Sequence, residues 1–247
     1  MPHPFEIVAE ETVDATPEQV WAAITNGPQI DSWFMGKSEM EPRQGGAARM
    51  DMGGFIMEST ITAWEPNRRL AYRTATDEEG KFMAFETTIE GRAGGKTTIR
   101  MVHSGFLGDD WEAEYTALQS GDPMYVHKLA QYVTYFAGKV ASVNVFAPGP
   151  PVASREKMFA AVRGALGLRD HVAVGDQVHA TPDGLAPIDG VVDYVRPDHL
   201  GVRTSDGLYR FLYGMGMAHF ENHLFTPDPD PRETAANWQA WMGKAFA

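Results

Sequence analysis

The sequence predicts an α+β fold in two successive lobes, on three observations. Residues 46–104 alternate between apolar and polar in runs broken by Glu65-Pro66-Asn67, Asp77-Glu78-Glu79-Gly80 and Gly91-Arg92-Ala93-Gly94-Gly95, the pattern of an antiparallel meander. Segments of helical period flank that meander on both sides. Three prolines and a glycine crowd into Ala147-Pro148-Gly149-Pro150-Pro151-Val152, a composition that continues neither a helix nor a central strand. Residues 147–152 are therefore expected to be a stiff linker between a lobe of residues 1–146 and a shorter lobe of residues 153–247.

Taken in order, residues 5–12 alternate and predict a first strand. Thr16-Pro17-Glu18-Gln19 then starts a helix: threonine caps, proline suits the first helical position, and glutamine can reach back as in a capping box. Val20, Trp21 and Ile24 follow at helical spacing, Asn26-Gly27-Pro28 ends the helix, and residues 29–35 predict a second short one. After the meander, residues 110–139 form a helical region that Gly121-Asp122-Pro123 is expected to interrupt. Tyr125, Leu129, Tyr132, Val133 and Phe136 make its apolar stripe.

The second lobe echoes the first. Val20-Trp21-Ala22-Ala23-Ile24 resembles Met158-Phe159-Ala160-Ala161-Val162, and the segment from Glu65 to Thr74 resembles that from Arg196 to Thr204 with one gap. A last helix begins at Asp230-Pro231-Arg232-Glu233 and carries Trp238, Trp241 and Met242 on one face. A divergent internal duplication is the expectation.

Composition excludes several functions. The 21 Lys and Arg against 33 Asp and Glu leave a net charge of −12, which repels a phosphate backbone, so no nucleic-acid partner is expected. Cysteine is absent, so disulfides and thiolate chemistry are impossible. No basic leader and no apolar run long enough to span a bilayer is seen, so the expectation is a cytoplasmic protein with no membrane partner. His219-Phe220-Glu221-Asn222-His223 is off the zincin spacing, and neither Gly45-Gly46 nor Gly214-Met215-Gly216 makes a phosphate loop. No metal and no cofactor is expected. Ser104 stands before a glycine but not in the Gly-x-Ser-x-Gly pattern of an acyl-transfer nucleophile.

Thr16-Pro17-Glu18-Gln19-Val20-Trp21, Trp33-Phe34, Pro66-Asn67-Arg68-Arg69-Leu70 and His103-Ser104-Gly105-Phe106, in that order over residues 5–140, resemble the START-like (SRPBCC) superfamily. The branch is similar to the C-terminal domain of the Hsp90 ATPase activator. The resemblance implies a helix-grip fold, in which a curved antiparallel sheet grips a long C-terminal helix around a cavity for apolar or amphipathic ligands. Chaperone activation also needs a separate domain in that family and is not carried over.

Strand parity puts Met50, Met52, Phe55, Met57, Phe85, Met101 and His103 on the inward face, rich in adaptable methionine. With Trp33, Phe106, Trp111, Tyr115 and Tyr125 they make the candidate ligand-binding set, in which His103, Tyr115 and Tyr125 supply the polar contacts. No carboxylate is fixed near His103 by the sequence, so it is read as a structural or orienting group and no catalytic residue is assigned. The expected function is non-catalytic binding of an apolar or amphipathic small molecule. A cyclase- or aromatase-like enzyme and a co-chaperone-like interaction module are the alternatives, and the protein could form a homodimer.

Overall fold

Side chains that alternate along the sequence go to opposite faces of a strand, and in residues 1–140 this sorting builds one seven-stranded antiparallel sheet. The structure, a computed structural model, describes residues 2–109, 111–214, 216–226 and 230–246. The chain divides into two units, Met1–Val140 and Ala141–Ala247.

The first unit runs β1 (His3–Val13), α1 (Pro17–Thr25), α2 (Gly27–Ile30), β2 (Lys37–Met40), β3 (Ala47–Asp51), β4 (Ile56–Glu65), β5 (Arg69–Thr74), β6 (Phe82–Gly91), β7 (Thr97–Leu107) and α3 (Trp111–Tyr135). The sheet order is β1-β7-β6-β5-β4-β3-β2, so the first strand pairs with the last and the rest is a meander. The capping box forms as expected. The Gln19 N–H donates to Thr16 Oγ1, and the Thr16 N–H donates to Gln19 Oε1 at 2.8 Å. Gly105 has φ +154, and a Cβ there would stand 2.0 Å from the Phe82 carbonyl oxygen, so only glycine lets β6 and β7 close at this point.

Two proline readings are corrected. Gly121-Asp122-Pro123 does not interrupt the long helix: α3 is continuous with Pro123 inside it. Proline costs a helix interior about 3 kcal/mol, and the buried side of α3, with Met124, Tyr125, Leu129, Tyr132 and Val133, is large enough to outweigh that. Residues 147–152 are not a linker either. Val143–Pro151 is strand β8, and the break between units falls at Val140 instead. β8 pairs only with one neighbour, and an edge strand tolerates prolines because half of its N–H groups have no ladder partner to lose. The second short helix is Gly27–Ile30, not residues 29–35. Asp110, the expected start of the long helix, and Met215 lie outside the described residues.

The second unit continues from β8 through α4 (Arg155–Ala165), β9 (Gln177–Ala180), β10 (Ile188–Arg196), β11 (His199–Thr204), β12 (Gly207–Gly214), β13 (Met217–Leu224) and α5 (Pro231–Ala245). Its sheet order, β8-β13-β12-β11-β10-β9, again pairs first strand with last. It is the same helix-grip topology less one strand and one short helix. Its core packs Met158, Phe159 and Val162 of α4 and Trp238, Trp241 and Met242 of α5 on the sheet. Phe220 and Trp238 stack at 3.6 Å. Arg210 and Asp193 form a buried bidentate pair at 3.0 and 2.8 Å.

His199, buried at the start of β11, gives a pH test of this unit. Burial, aided by the charge of Arg210 and opposed by Asp198, pushes its pKa down to about 4. Below pH 6.5 the unfolded chain takes up a proton that the folded chain refuses until about pH 4. The folded state therefore loses on the order of 3 kcal/mol across that window. Urea unfolding at pH 6.5 and pH 5 should show His199→Gln losing about 2 kcal/mol less than the wild type between the two.

Candidate functional site

A ladder of three rings crosses the middle of the first sheet. Register sets Tyr72 of β5 opposite Phe85 of β6, and Phe85 opposite His103 of β7. The rings of Tyr72 and Phe85 stack at 5.1 Å, those of Phe85 and His103 at 4.0 Å, and Phe5 of β1 meets His103 edge-on at 5.0 Å. Cross-strand neighbours on one face are close enough for such stacking without any special turn.

From the other side, α3 lowers Asp122 onto this ladder. Its Oδ2 stands 2.9 Å from His103 Nδ1, with His103 2% and Asp122 9% exposed. Against a carboxylate, which accepts, Nδ1 is the donating nitrogen, and Nε2 is the ring nitrogen turned away from Asp122. That Nε2 is buried without a hydrogen-bond partner. The hydroxyl of Tyr72 is held protonated: burial, and then the negative charge of Asp122, push its pKa up to about 12.

Between the sheet and helices α1, α2 and α3 lies a cavity of about 80 Å³. Its walls are apolar, with methionines 40, 50 and 101 and the rings of Trp33, Phe34, Phe85 and Tyr125, and Asp122 is the one charged residue on them. The ring of Trp33 is fixed by its Nε1–H, which donates to the Ala23 carbonyl at 2.9 Å.

Of the sequence-predicted set, Trp33, Met50, Phe85, Met101 and Tyr125 line this cavity. His103 stands just behind the lining, joined to it through Asp122. The other six are elsewhere. Phe55 is 67% exposed, because β4 begins only at Ile56 and Phe55 belongs to the turn after Gly53 and Gly54. Met52 sits in that same turn, and Met57 is half-buried opposite Met50 but off the cavity. Phe106 is exposed: with His103 inward, three residues on is the outward face, where its ring leans on Phe82 at 5.5 Å. Trp111 and Tyr115, in the first turns of α3, pack against a separate cluster of Phe5, Ile7 and Leu107.

Asp122 and Tyr72 are the residues the sequence reading missed. Both had a signal. Asp122 precedes Tyr125 by three and Leu129 by seven, hence on the buried stripe of an unbroken helix, and Tyr72 shares the parity of buried Leu70. Among the described residues no cluster of three or more His, Asp or Glu is placed to hold a metal ion, and no helix is long and apolar enough to cross a membrane.

A sequence model of the family described as Activator of Hsp90 ATPase homolog 1-like protein matches residues 14–134. No curated protein matches the chain significantly. Among solved structures, a Mesorhizobium loti protein is 26% identical, covering 51% of this chain and 95% of its own at a TM-score of 0.45. The Aha1 dimer from Colwellia psychrerythraea is 17% identical, covering 54% of this chain and 99% of its own at 0.46. DynU16, from the dynemicin biosynthetic locus, is 18% identical and covers 98% of this chain and 95% of its own at 0.47. The family match spans α1 through α3, the elements that enclose the cavity and carry Asp122 and His103. Residues 14–134 are thus similar to the Activator of Hsp90 ATPase homolog 1-like family, within a unit of helix-grip fold.

Proposed function

We propose that the first unit binds a compact, mainly apolar small molecule that carries one hydrogen-bond donor. The observation that carries this reading is the chemistry of the cavity wall: mainly apolar, with the hydroxyl-bearing Tyr72, Thr87 and Tyr125 and a single charged residue, Asp122, whose carboxylate is oriented from behind by His103. A ligand hydroxyl or amine would donate to that carboxylate, while the apolar remainder would leave water at about 2.5 kcal/mol for each ~100 Å² buried. Size supports a small ligand. The cavity of about 80 Å³ is roughly half the ~150 Å³ that admits benzene in an engineered apolar cavity. A larger amphipathic molecule requires methionines 40, 50 and 101 to swing aside, which their unbranched chains allow.

The His103–Asp122 pair also favours a second reading, acid–base catalysis of the cyclase type, because it provides the partnered histidine such chemistry requires. Asp122, not His103, lines the cavity, which favours the binding role. We further infer that the two units are divergent copies. Besides sharing a sheet order, each carries a β-bulge, at Thr62 and Asp193, four residues before the hairpin prolines Pro66 and Pro197.

These readings give two expected outcomes. Asp122→Ala strips the histidine of its acceptor and should lower stability by about 3 kcal/mol in urea unfolding, the scale of halving a buried pair, with Asp122→Asn recovering part of the loss. In NMR titrations of labelled methionine methyls, cyclohexanol, which is bulkier than benzene and enters only as the methionines swing aside, should shift the signals of Met50 and Met101, and Asp122→Asn should weaken it about tenfold. Met101→Trp should abolish the response, and if cyclohexanol still shifts Met50 in that variant the cavity is not the site. If a substrate is found, His103→Gln separates the roles. A loss of turnover of about a hundredfold with binding intact establishes catalysis, whereas unchanged turnover leaves the histidine as a positioning group.

A further inference from the structure

The positions where the two units differ most in bulk lie between the first helix and the bulged hairpin. In the first unit Trp21 of α1 and Trp64 of β4 meet edge-to-face at 5.0 Å and fill that space. Matching helix with helix and hairpin with hairpin, as their local sequences and bulges align, puts Phe159 where Trp21 stands and Val195 where Trp64 stands. The smaller pair leaves an open cleft of about 510 Å³ between α4 and the β10–β11 hairpin, inside the range of about 300–1,000 Å³ common for small-molecule sites.

The same exchange brings in charge. Arg155 and Arg163 of α4 and Arg196 of the hairpin line the cleft, where the first unit has Pro17, Thr25 and Glu65. Spacings of four put Arg155, Phe159 and Arg163 along one helix face. Arg155 is held by Asp198 at 3.0 Å, which clasps the helix start to the hairpin turn, and by its helix neighbour Glu156, the one carboxylate lining the cleft, at 3.2 Å. Arg163 and Arg196 have no carboxylate partner among the described residues, and Arg163 Nε is buried without a hydrogen bond. In a chain of net charge −12, two uncompensated guanidinium groups in one apolar-walled cleft make a local site for an anion.

We propose that this cleft is a second ligand site, which takes a small amphipathic anion: an aromatic or aliphatic body against Phe159, Val195 and Leu200, and a carboxylate or sulfonate between Arg163 and Arg196. Guanidinium forks match such planar or trigonal oxygen groups. The site is separate from the first unit's cavity, whose single charge is negative and which selects a donor, so the two differ in the sign of ligand they accept.

The test uses the full chain and two dyes, anilinonaphthalene sulfonate and its uncharged relative N-phenyl-1-naphthylamine. The sulfonate dye should bind the wild type and be weakened at least tenfold by the double replacement Arg163→Gln with Arg196→Gln, while the uncharged dye changes less than twofold. Val195→Trp, which restores the first unit's residue, should remove both dyes with the circular-dichroism spectrum and melting temperature kept. Met101→Trp, which fills the first unit's cavity, should leave sulfonate binding unchanged. The proposal is overturned if the wild type does not bind the sulfonate dye, if the double replacement or Val195→Trp leaves its affinity unchanged, or if Met101→Trp removes it. The last result would place the dye in the first unit's cavity, and loss of cyclohexanol binding alone would bear only on that cavity.

Discussion

A carboxylate cannot be buried alone, and in the first unit that constraint fixes how the long helix lies on its sheet. Moving an unpaired ion out of water costs several kcal/mol even after relaxation, so Asp122 must face a partner, and His103 is the one it meets. Once Asp122 faces inward, helical geometry turns Tyr125 and Leu129 to the same side. The bond sits near the middle of the 25-residue helix, between the Trp111 and Tyr115 cluster at its start and the Tyr132 and Phe136 contacts at its end. It thus sets the rotation of α3, the depth of the cavity beside it, and the one charged group the cavity offers.

The ladder beneath that bond explains why the site stands where it does. Tyr72, Phe85 and His103 are in register across three strands, so a shift of one residue in any of them would turn its ring to the outer face. Gly105 guards that register two residues past His103, since any side chain there would collide with the Phe82 carbonyl. The family-like segment His103-Ser104-Gly105-Phe106 therefore combines a buried ring with the backbone freedom needed to hold it. Phe106 is only its outward flank.

How far this was legible in the sequence depends on which rule applied. Period-two parity placed Met50, Phe85, Met101 and His103 on the inner face, because each is a paired residue within a strand. It failed for Phe55, which lies one residue before β4 begins, where alternation has no meaning. Proline misled twice in the same way. A local rule says that proline stops a helix or a strand, but Pro123 rides on a helix held by its buried face, and Pro148, Pro150 and Pro151 lie on an edge strand whose outward N–H groups have no partner to lose. The first error hid Asp122, for a broken helix has no continuous face on which to place it. The missing half of the site was encoded at spacings of three and seven from residues already recognised as core.

Two copies of one topology also show how the same framework can hold different chemistry. Each keeps a small space between its sheet and its last helix. In the first unit it measures about 80 Å³ and is apolar around one carboxylate. In the second the Phe220–Trp238 stack stands beside a space of about 110 Å³ edged by the uncharged amides of Asn222 and Asn237. The hairpin end shows the opposite trade. Two tryptophans close it in the first unit, while a phenylalanine and a valine leave it open in the second. Neither exchange alters strand order or bulge position, because both involve side chains that fill gaps between elements and make none of the ladder hydrogen bonds. Such positions are free to change without cost to the backbone framework, which is why differences in function between the units are to be sought at these fillers and not in the sheets that carry them.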